Sequence, residues 1–152
     1  MRKVLKKAVC MLMACTIMLT PAVSVQAANV SDQPIGEREI KANVSYETLP
    51  RDKQNTTKVY VYFTKLPTKY ITVQTLGSRN TSLWYNETKG TGSNPSAKVQ
   101  LKVQSSITNF IYENRGASNT YVLAKLRFKS SASGTIKGVW SPDSTRNYTV
   151  VN

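Results

Sequence analysis

Tyrosines and lysines alternate with apolar residues in the stretch KVYVYFTKLPTKYITVQ, which runs from Lys58 to Gln74. Tyrosine rings can stack on sugar rings, and lysine ammonium groups attract polyanions over long distances. If the central KLPTK segment forms a hairpin loop, the period of two in a strand puts the tyrosines on one face and the aliphatic residues on the other. The predicted binding residues of this hairpin are Lys58, Tyr60, Tyr62, Lys69 and Tyr70.

The predicted hairpin has a defined register. Tyr62 would face Thr72 across the ladder, and Phe63 would face Ile71 on the opposite, apolar side. Exposed tyrosines are also common on strands that bind nothing, where they form cross-strand pairs or lie under a neighbouring segment. The stretch therefore predicts either a ligand-binding face or the solvated side of a structural hairpin.

A second group of basic residues alternates along a single predicted strand. Lys125, Arg127 and Lys129 are separated by Leu126 and Phe128, so the three cations share one face of the strand. Such a stripe can bind anions, and it can equally be an ordinary solvated sheet face. We include the three cations among the predicted binding residues.

The sequence lacks the residue types on which most catalytic and metal sites depend. The chain has no histidine, and its two cysteines, Cys10 and Cys15, lie in an N-terminal segment that we expect to be removed. Beyond residue 52 the only acids are Glu87, Glu113 and Asp143, and their spacing does not favour a glycosidase pair over three surface carboxylates. We therefore predict a protein that is not an enzyme and has no metal or cofactor, with a glycan-cleaving enzyme as the remaining catalytic alternative.

Residues 1–27 have the parts of a secretory signal peptide. A basic start is followed by about 12 apolar residues, fewer than the roughly 20 that a membrane span needs, and then by VQA, which places cleavage before Ala28. LMAC, ending at Cys15, resembles a lipid-attachment box, but the apolar run continues beyond it. We predict secretion from a Gram-positive bacterium, in which exported proteins without disulfides are common.

Positive charge is concentrated in the body of the mature chain. Residues 28–152 contain 17 Lys/Arg and 8 Asp/Glu, and 14 of those cations but only three of the acids lie from Lys53 onward. This balance favours a polyanionic partner: an anionic cell-wall polymer such as teichoic acid, a glycan, or a membrane surface, with nucleic acid less favoured. Alternatively, the charge serves only solubility.

Alternating apolar residues and frequent turn residues predict an all-β protein. The predicted strands lie within residues 39–46, 58–64, 70–76, 82–88, 98–104, 109–113, 121–128, 135–140 and 148–151. Eight or nine short strands of this kind indicate a single antiparallel β-sandwich, or a small barrel, over residues 37–152. Residues 28–36 are predicted to be a flexible lead.

Two short segments resemble a known family. NPSAKVQLKV begins at Asn94, and a Gly-x-Trp turn at Gly138 to Trp140 is followed by the acid Asp143. Their order after a signal peptide resembles a family of small secreted Gram-positive proteins of unknown function, over residues 94–145. The resemblance implies a small secreted domain and transfers no site residue.

Charge, fold and missing chemistry together favour a secreted cationic binding protein at the bacterial envelope that recognises an anionic or glycan polymer. The alternative of a different class is a bacteriocin-like or pore-forming toxin, because amphipathic strands and positive charge also suit membrane attack.

Overall fold

The computed structural model describes residues 29–116 and 122–152 of the protein. The predicted signal peptide of residues 1–27, with Cys10 and Cys15, lies outside the described residues, and so do Ala28 and Tyr121. Within the described ranges, no helix is both long enough and apolar enough to cross a membrane.

The described residues form twelve strands and one short helix. The strands are β1 (Gln33–Pro34), β2 (Arg38–Ile40), β3 (Ser45–Glu47), β4 (Arg51–Lys53), β5 (Val59–Lys65), β6 (Tyr70–Ser78), β7 (Tyr85–Asn86), β8 (Ala97–Gln100), β9 (Ser105–Ile107), β10 (Val122–Lys129), β11 (Gly134–Ser141) and β12 (Thr149–Val151). The helix α1 spans Ile111–Arg115, between β9 and β10.

The strands form two sheets of six. The first sheet has the order β1-β11-β5-β9-β12, with β2 also paired to β11; the second has the order β3-β10-β6-β7, with β4 also paired to β10 and β8 to β6. Every pair of strands is antiparallel except β9 and β12, which are parallel. The predicted antiparallel β-sandwich is confirmed, built from more and shorter strands than the sequence predicts.

The core lies between the inner faces of the two sheets. Val61 and Phe63 of β5 contribute from the first sheet, and Ile71 and Val73 of β6 contribute from the second. These four side chains are at most 1% exposed, so the apolar half of the KVYVYFTKLPTKYITVQ pattern is fully buried. Each sheet therefore has one apolar face against the core and one face toward solvent.

The predicted hairpin between β5 and β6 does not form, and this part of the prediction is wrong. Strand β5 pairs with β11 and β9 in the first sheet, whereas β6 pairs with β10, β7 and β8 in the second. Residues 66–69 carry the chain from one sheet to the other, with Pro67 next to Gly134. The alternation of apolar and polar residues determines which residues face the core. It is the same whether the two strands pair as a hairpin or lie in different sheets.

A second crossing divides the strand predicted over residues 39–46. Ile40 ends β2 beside β11 in the first sheet, and Ser45 begins β3 beside β10 in the second. Between them Asn43 has a φ of 59°, a left-handed conformation that asparagine tolerates better than most residues. Because the alternation of apolar and polar residues continues through this corner, the sequence does not indicate that the chain changes sheets here.

Residues 109–113, predicted to be a strand, instead lead into α1. The helix packs on β6 because Gly77 has no side chain: a Cβ there would lie 2.9 Å from Cγ2 of Ile111. Lys102, with a φ of 58°, interrupts the strand predicted over residues 98–104 and separates β8 from β9.

The segment predicted to be a flexible lead packs against the body from Asn29 onward. Gln33 and Pro34 pair with β11, and Ile35 is buried in the core. The backbone N–H of Asn29 donates to Oδ2 of Asp143 at 3.0 Å. These contacts fix residues 29–36 to the first sheet and to the loop that follows it.

A fully buried ion pair joins β4 to that loop. Nζ of Lys53 lies 2.9 Å from Oδ1 of Asp143, and neither side chain is exposed. The Lys53 ammonium also donates to the carbonyl oxygens of Thr57 and Pro142, while Asp143 accepts the backbone N–H of Gln54. Asp143 thus bonds backbone amides of two segments that are distant from it in the sequence.

Candidate functional site

The outer face of the second sheet carries the predicted basic stripe of β10. Leu126 and Phe128 of β10 point into the core, so Lys125, Arg127 and Lys129 project from the opposite side. The shared face predicted for these three cations is confirmed by the burial pattern of the strand.

Strand pairing surrounds this stripe with polar residues from β6 and β8. Thr72 is the register partner of both Lys129 and Lys98, and Gln74 is the partner of Arg127. Tyr70 lies at the start of the same outer row of β6. We call this surface the basic face; it comprises Lys69, Tyr70, Thr72, Gln74, Lys98, Lys125, Arg127 and Lys129.

The cations at the Glu47 side of the face are already paired. Oε2 of Glu47 lies 2.5 Å from Nζ of Lys125, and its Oε1 lies 2.7 Å from Nη2 of Arg127. Burial raises the pKa of Glu47, but the hydrogen bonds and positive charges of Lys125 and Arg127 lower it by more, so it lies below the ordinary 4.5. Glu47 is therefore ionised at neutral pH and neutralises part of this edge.

The cations at the Tyr70 side have no such partner. Within residues 29–116 and 122–152, no carboxylate forms a salt bridge with Lys69, Lys98 or Lys129. Nζ of Lys69 lies 5.3 Å from the centroid of the Tyr70 ring, and Nζ of Lys98 lies 5.4 Å from it. An exposed aromatic ring thus lies between lysines whose charges are available to a ligand.

The basic face contains two adjoining depressions. One has a volume of about 390 Å³ and is bordered by Lys69, Tyr70, Lys98 and Lys129. The other, of about 230 Å³, contains Arg127 and Gln74, and the two share Thr72 and Lys129. Shallow depressions in a row suit an extended ligand better than a compact one.

The structure divides the binding residues predicted on the Lys58–Gln74 stretch. Lys69 and Tyr70 belong to the basic face, but Tyr60 and Tyr62 project from the first sheet, on the other side of the sandwich. Lys58 directly precedes β5, so it also lies at the first sheet and apart from Lys69 and Tyr70. The predicted face of three tyrosines is therefore wrong, because their two strands belong to different sheets.

Tyr60 is also inaccessible. It is 3% exposed, and its ring stacks on that of Tyr148 with centroids 4.5 Å apart. Burial raises the pKa of the Tyr60 hydroxyl above 10.0. Tyr60 is thus a covered structural residue.

Sequence reasoning missed the contribution of β8 to the basic face. Lys98 belongs to an alternating segment, but only its pairing with β6 brings it next to Thr72 and Tyr70. No signal within residues 97–100 indicates that partner. Trp84 is half-buried, with its ring centroid 4.0 Å from Nζ of Lys125, and the adjacent Tyr85 is exposed.

The carboxylates considered for glycan cleavage have other partners. Glu87 is buried, with Oε1 at 2.6 Å from Nε of Arg115 and Oε2 at 2.6 Å from Nδ2 of Asn114. Asp143 is bound to Lys53, and Glu113 lies exposed on α1. Glu87 therefore holds two side chains of α1 in place, and Asp143 holds the buried ammonium of Lys53, which are structural roles.

A family model described as "Protein of unknown function (DUF2712)" matches residues 23–144. The chain belongs to this family. The matched residues contain the whole basic face and the buried Lys53–Asp143 pair, and they end before Asn147 and Tyr148. No curated protein and no solved structure matches the chain.

Proposed function

We propose that this DUF2712 protein is a secreted, cationic binding protein of the bacterial envelope that holds an anionic polymer on the basic face. The observation that carries the proposal is the exposed ring of Tyr70, with Nζ of Lys69 and Lys98 at 5.3 and 5.4 Å from its centroid and Lys129 bordering the same depression. None of these three lysines has a carboxylate partner among the described residues. Elsewhere on the same sheet, Lys125 and Arg127 share the carboxylate of Glu47, which offsets part of their charge. Uncompensated charge is thus concentrated at one end of the face.

The form of the surface supports a polymer as the ligand. Lys98 and Lys129 flank Thr72 on neighbouring strands, and Lys69 extends the group at the edge of the sheet. A chain with regularly spaced anionic groups could contact these lysines in turn, while the Thr72 hydroxyl offers a hydrogen bond between them. Long-range attraction by the 17 cations of residues 28–152 would speed its capture.

Secretion is part of the proposal and rests on the signal-peptide pattern of residues 1–27. A Gram-positive envelope supplies anionic polymers at the place to which that signal would send the protein. The proposed N-terminus is Ala28, one residue before Asn29 joins the folded body. Detection of a chain beginning at Ala28 in culture medium would support this part.

The triple variant K69Q/K98Q/K129Q tests the basic face. Three exposed charges worth about 0.5–1 kcal/mol each predict a loss of about 10- to 100-fold in affinity for isolated Gram-positive cell walls at low salt. The measurement is a sedimentation assay with residues 28–152, repeated on walls stripped of their anionic polymers and with increasing NaCl. Binding of the wild type should fall with salt and with stripping.

The matched control is K58Q/K89Q/K137Q, which removes the same charge from exposed positions outside the basic face. We expect a loss of about 3-fold or less, because only long-range attraction changes. Equal losses in the two triple variants would contradict a localised site. Undiminished binding to stripped walls would contradict an anionic ligand.

Replacing Glu47 by glutamine should strengthen binding. The substitution removes the ionised group that offsets part of the charge of Lys125 and Arg127, and it leaves one carbonyl oxygen that can still accept a hydrogen bond from one of them. A gain of about 2- to 5-fold is expected, since an exposed charge interaction is worth about 0.2–1 kcal/mol. The same sedimentation assay measures it.

Glu37→Gln is the control for that gain. Glu37 pairs with Lys65 and Lys137 on exposed parts of the first sheet, so E37Q makes the same change of charge away from the basic face. An increase of the same size in both variants would show that net charge, and not the position of Glu47, controls affinity.

A further inference from the structure

The outer face of the first sheet has a depression whose chemistry differs from that of the basic face. Its volume is about 530 Å³, and Tyr62, Lys102, Gln104, Asn147 and Tyr148 line it. We call it the tyrosine cleft. Tyr62 comes from the middle of β5, the next two residues from the loop between β8 and β9, and the last two from the segment before β12.

Residues of the folded body hold the walls of the tyrosine cleft in place. The Tyr148 ring stacks on the buried ring of Tyr60, and its hydroxyl accepts a hydrogen bond of 3.0 Å from Nη1 of Arg146. The backbone N–H of Lys102 donates to the carbonyl oxygen of Phe63 at 2.9 Å. A cleft whose walls are fixed before a ligand arrives loses little conformational entropy on binding.

The polar groups of the cleft include two carboxamides, from Gln104 and Asn147. Nε2 of Gln104 is 3.5 Å from the Tyr60 hydroxyl, a distance too long for a strong hydrogen bond, so the exposed Gln104 amide remains available. Asn147 adds a second amide. Lys102 is the one charged residue in the lining, whereas three lysines border the larger depression of the basic face.

We propose that the tyrosine cleft binds a neutral saccharide unit and is a second site, separate from the basic face. The C–H face of a sugar ring packs on an aromatic ring, and its hydroxyls pair with carboxamides, which both donate and accept. An anionic ligand would find one cation here and several on the other side of the molecule. The two sites project from opposite sheets, so one molecule holds a neutral glycan and an anionic polymer at the same time.

Two sites on opposite faces change what the protein does at an envelope. Once one site is occupied, the second site is held at a high local concentration of its own ligand. The protein is therefore retained at the envelope more strongly than by either site alone. This inference goes beyond the proposed function, because the tyrosine cleft shares no residue with the basic face. Either site can be present without the other.

An NMR titration of ¹⁵N-labelled residues 28–152 tests the cleft. The probes are chitotriose and maltotriose up to about 10 mM, which detects a Kd in the mM range. We expect saturable shifts for the amides around Tyr62, Gln104 and Tyr148 with at least one probe, unchanged by added NaCl. Absence of saturable shifts with both probes would overturn the proposal, and so would shifts confined to the neighbourhood of Tyr70.

Variants separate the two sites. Tyr62→Ala and Asn147→Ala should each weaken saccharide binding several-fold, and because both side chains lie at the surface, the fold should survive. Tyr70→Ala on the basic face is the matched control and should leave saccharide binding unchanged while weakening cell-wall binding. Saccharide binding that persists in Y62A and N147A but is lost in Y70A would overturn the assignment.

Discussion

Replacing Asp143 by alanine is expected to lower the free energy of unfolding by about 3–5 kcal/mol, because it leaves the buried ammonium of Lys53 without its counter-ion. The Lys53 side chain is completely inaccessible, so water cannot replace the lost carboxylate. The backbone N–H groups of Asn29 and Gln54 also lose their acceptor. Equilibrium urea unfolding of residues 28–152 measures the change.

Two comparisons isolate the buried pair. Glu37→Gln breaks two exposed salt bridges and should cost about 1 kcal/mol or less, because water solvates the lysines that remain. The double variant K53M/D143L removes both buried charges and should be more stable than D143A, although the amides of Asn29 and Gln54 still lack a partner. A cost of D143A no larger than that of E37Q would contradict this account.

The D143A defect should also shrink at alkaline pH. Burial lowers the pKa of Lys53 below 10.5, against the opposing charge and hydrogen bond of Asp143. Removing Asp143 takes away that opposition, so the pKa of Lys53 falls further. Between the lowered folded value and 10.5 the unfolded chain binds the proton and the folded chain does not, so stability rises with pH in that window. Unfolding curves of D143A at neutral pH and near 10 test the sign.

Phe128→Ala is expected to cost about 3–5 kcal/mol, the usual range for removing a buried aromatic ring. Phe128 is 1% exposed; its ring centroid lies 6.1 Å from that of Phe63 in the opposite sheet and 6.3 Å from that of Tyr46. The guanidinium of Arg38 covers it at 5.5 Å. Removal of the ring leaves a cavity between the two sheets. Denaturant midpoints with an unchanged m value would report the loss.

Leu49→Ala provides the reference for that experiment. Leu49 is 85% exposed, so its truncation should change stability by no more than about 0.5 kcal/mol. If F128A cost less than about 1 kcal/mol, the core between the sheets would be able to collapse around the missing ring, contrary to the close packing expected of it.

The sequence predicted the inner and outer faces of the long strands well. In β10, alternation correctly placed Leu126 and Phe128 inside and Lys125 and Arg127 outside, because a period of two determines the side of the sheet on which each residue lies. Val61 and Ile71 are likewise in the core, as predicted. These properties are local to each strand.

The sequence could not predict which strands share a sheet. Tyr62 and Tyr70 are close in the chain, but their strands belong to different sheets, whereas Lys98 reaches Tyr70 only through a pairing between β8 and β6. That pairing is set by packing of the whole chain, since the residues on either side of Lys98 would fit several partners. Tyr148 is similar: nothing near it in the sequence indicates that its ring stacks on Tyr60.

The placement of Trp84 and Trp140, the two tryptophans of the chain, provides two built-in fluorescence reporters. Trp140 is 1% exposed, so its emission should be shielded from quenchers in the folded state and shift to longer wavelength on unfolding. Trp84 is half-buried beside Lys125, at the edge of the basic face, where a bound polymer would restrict quencher access. With the other tryptophan replaced by phenylalanine, each indole reports one event: Trp140 the loss of structure, and Trp84 the arrival of ligand.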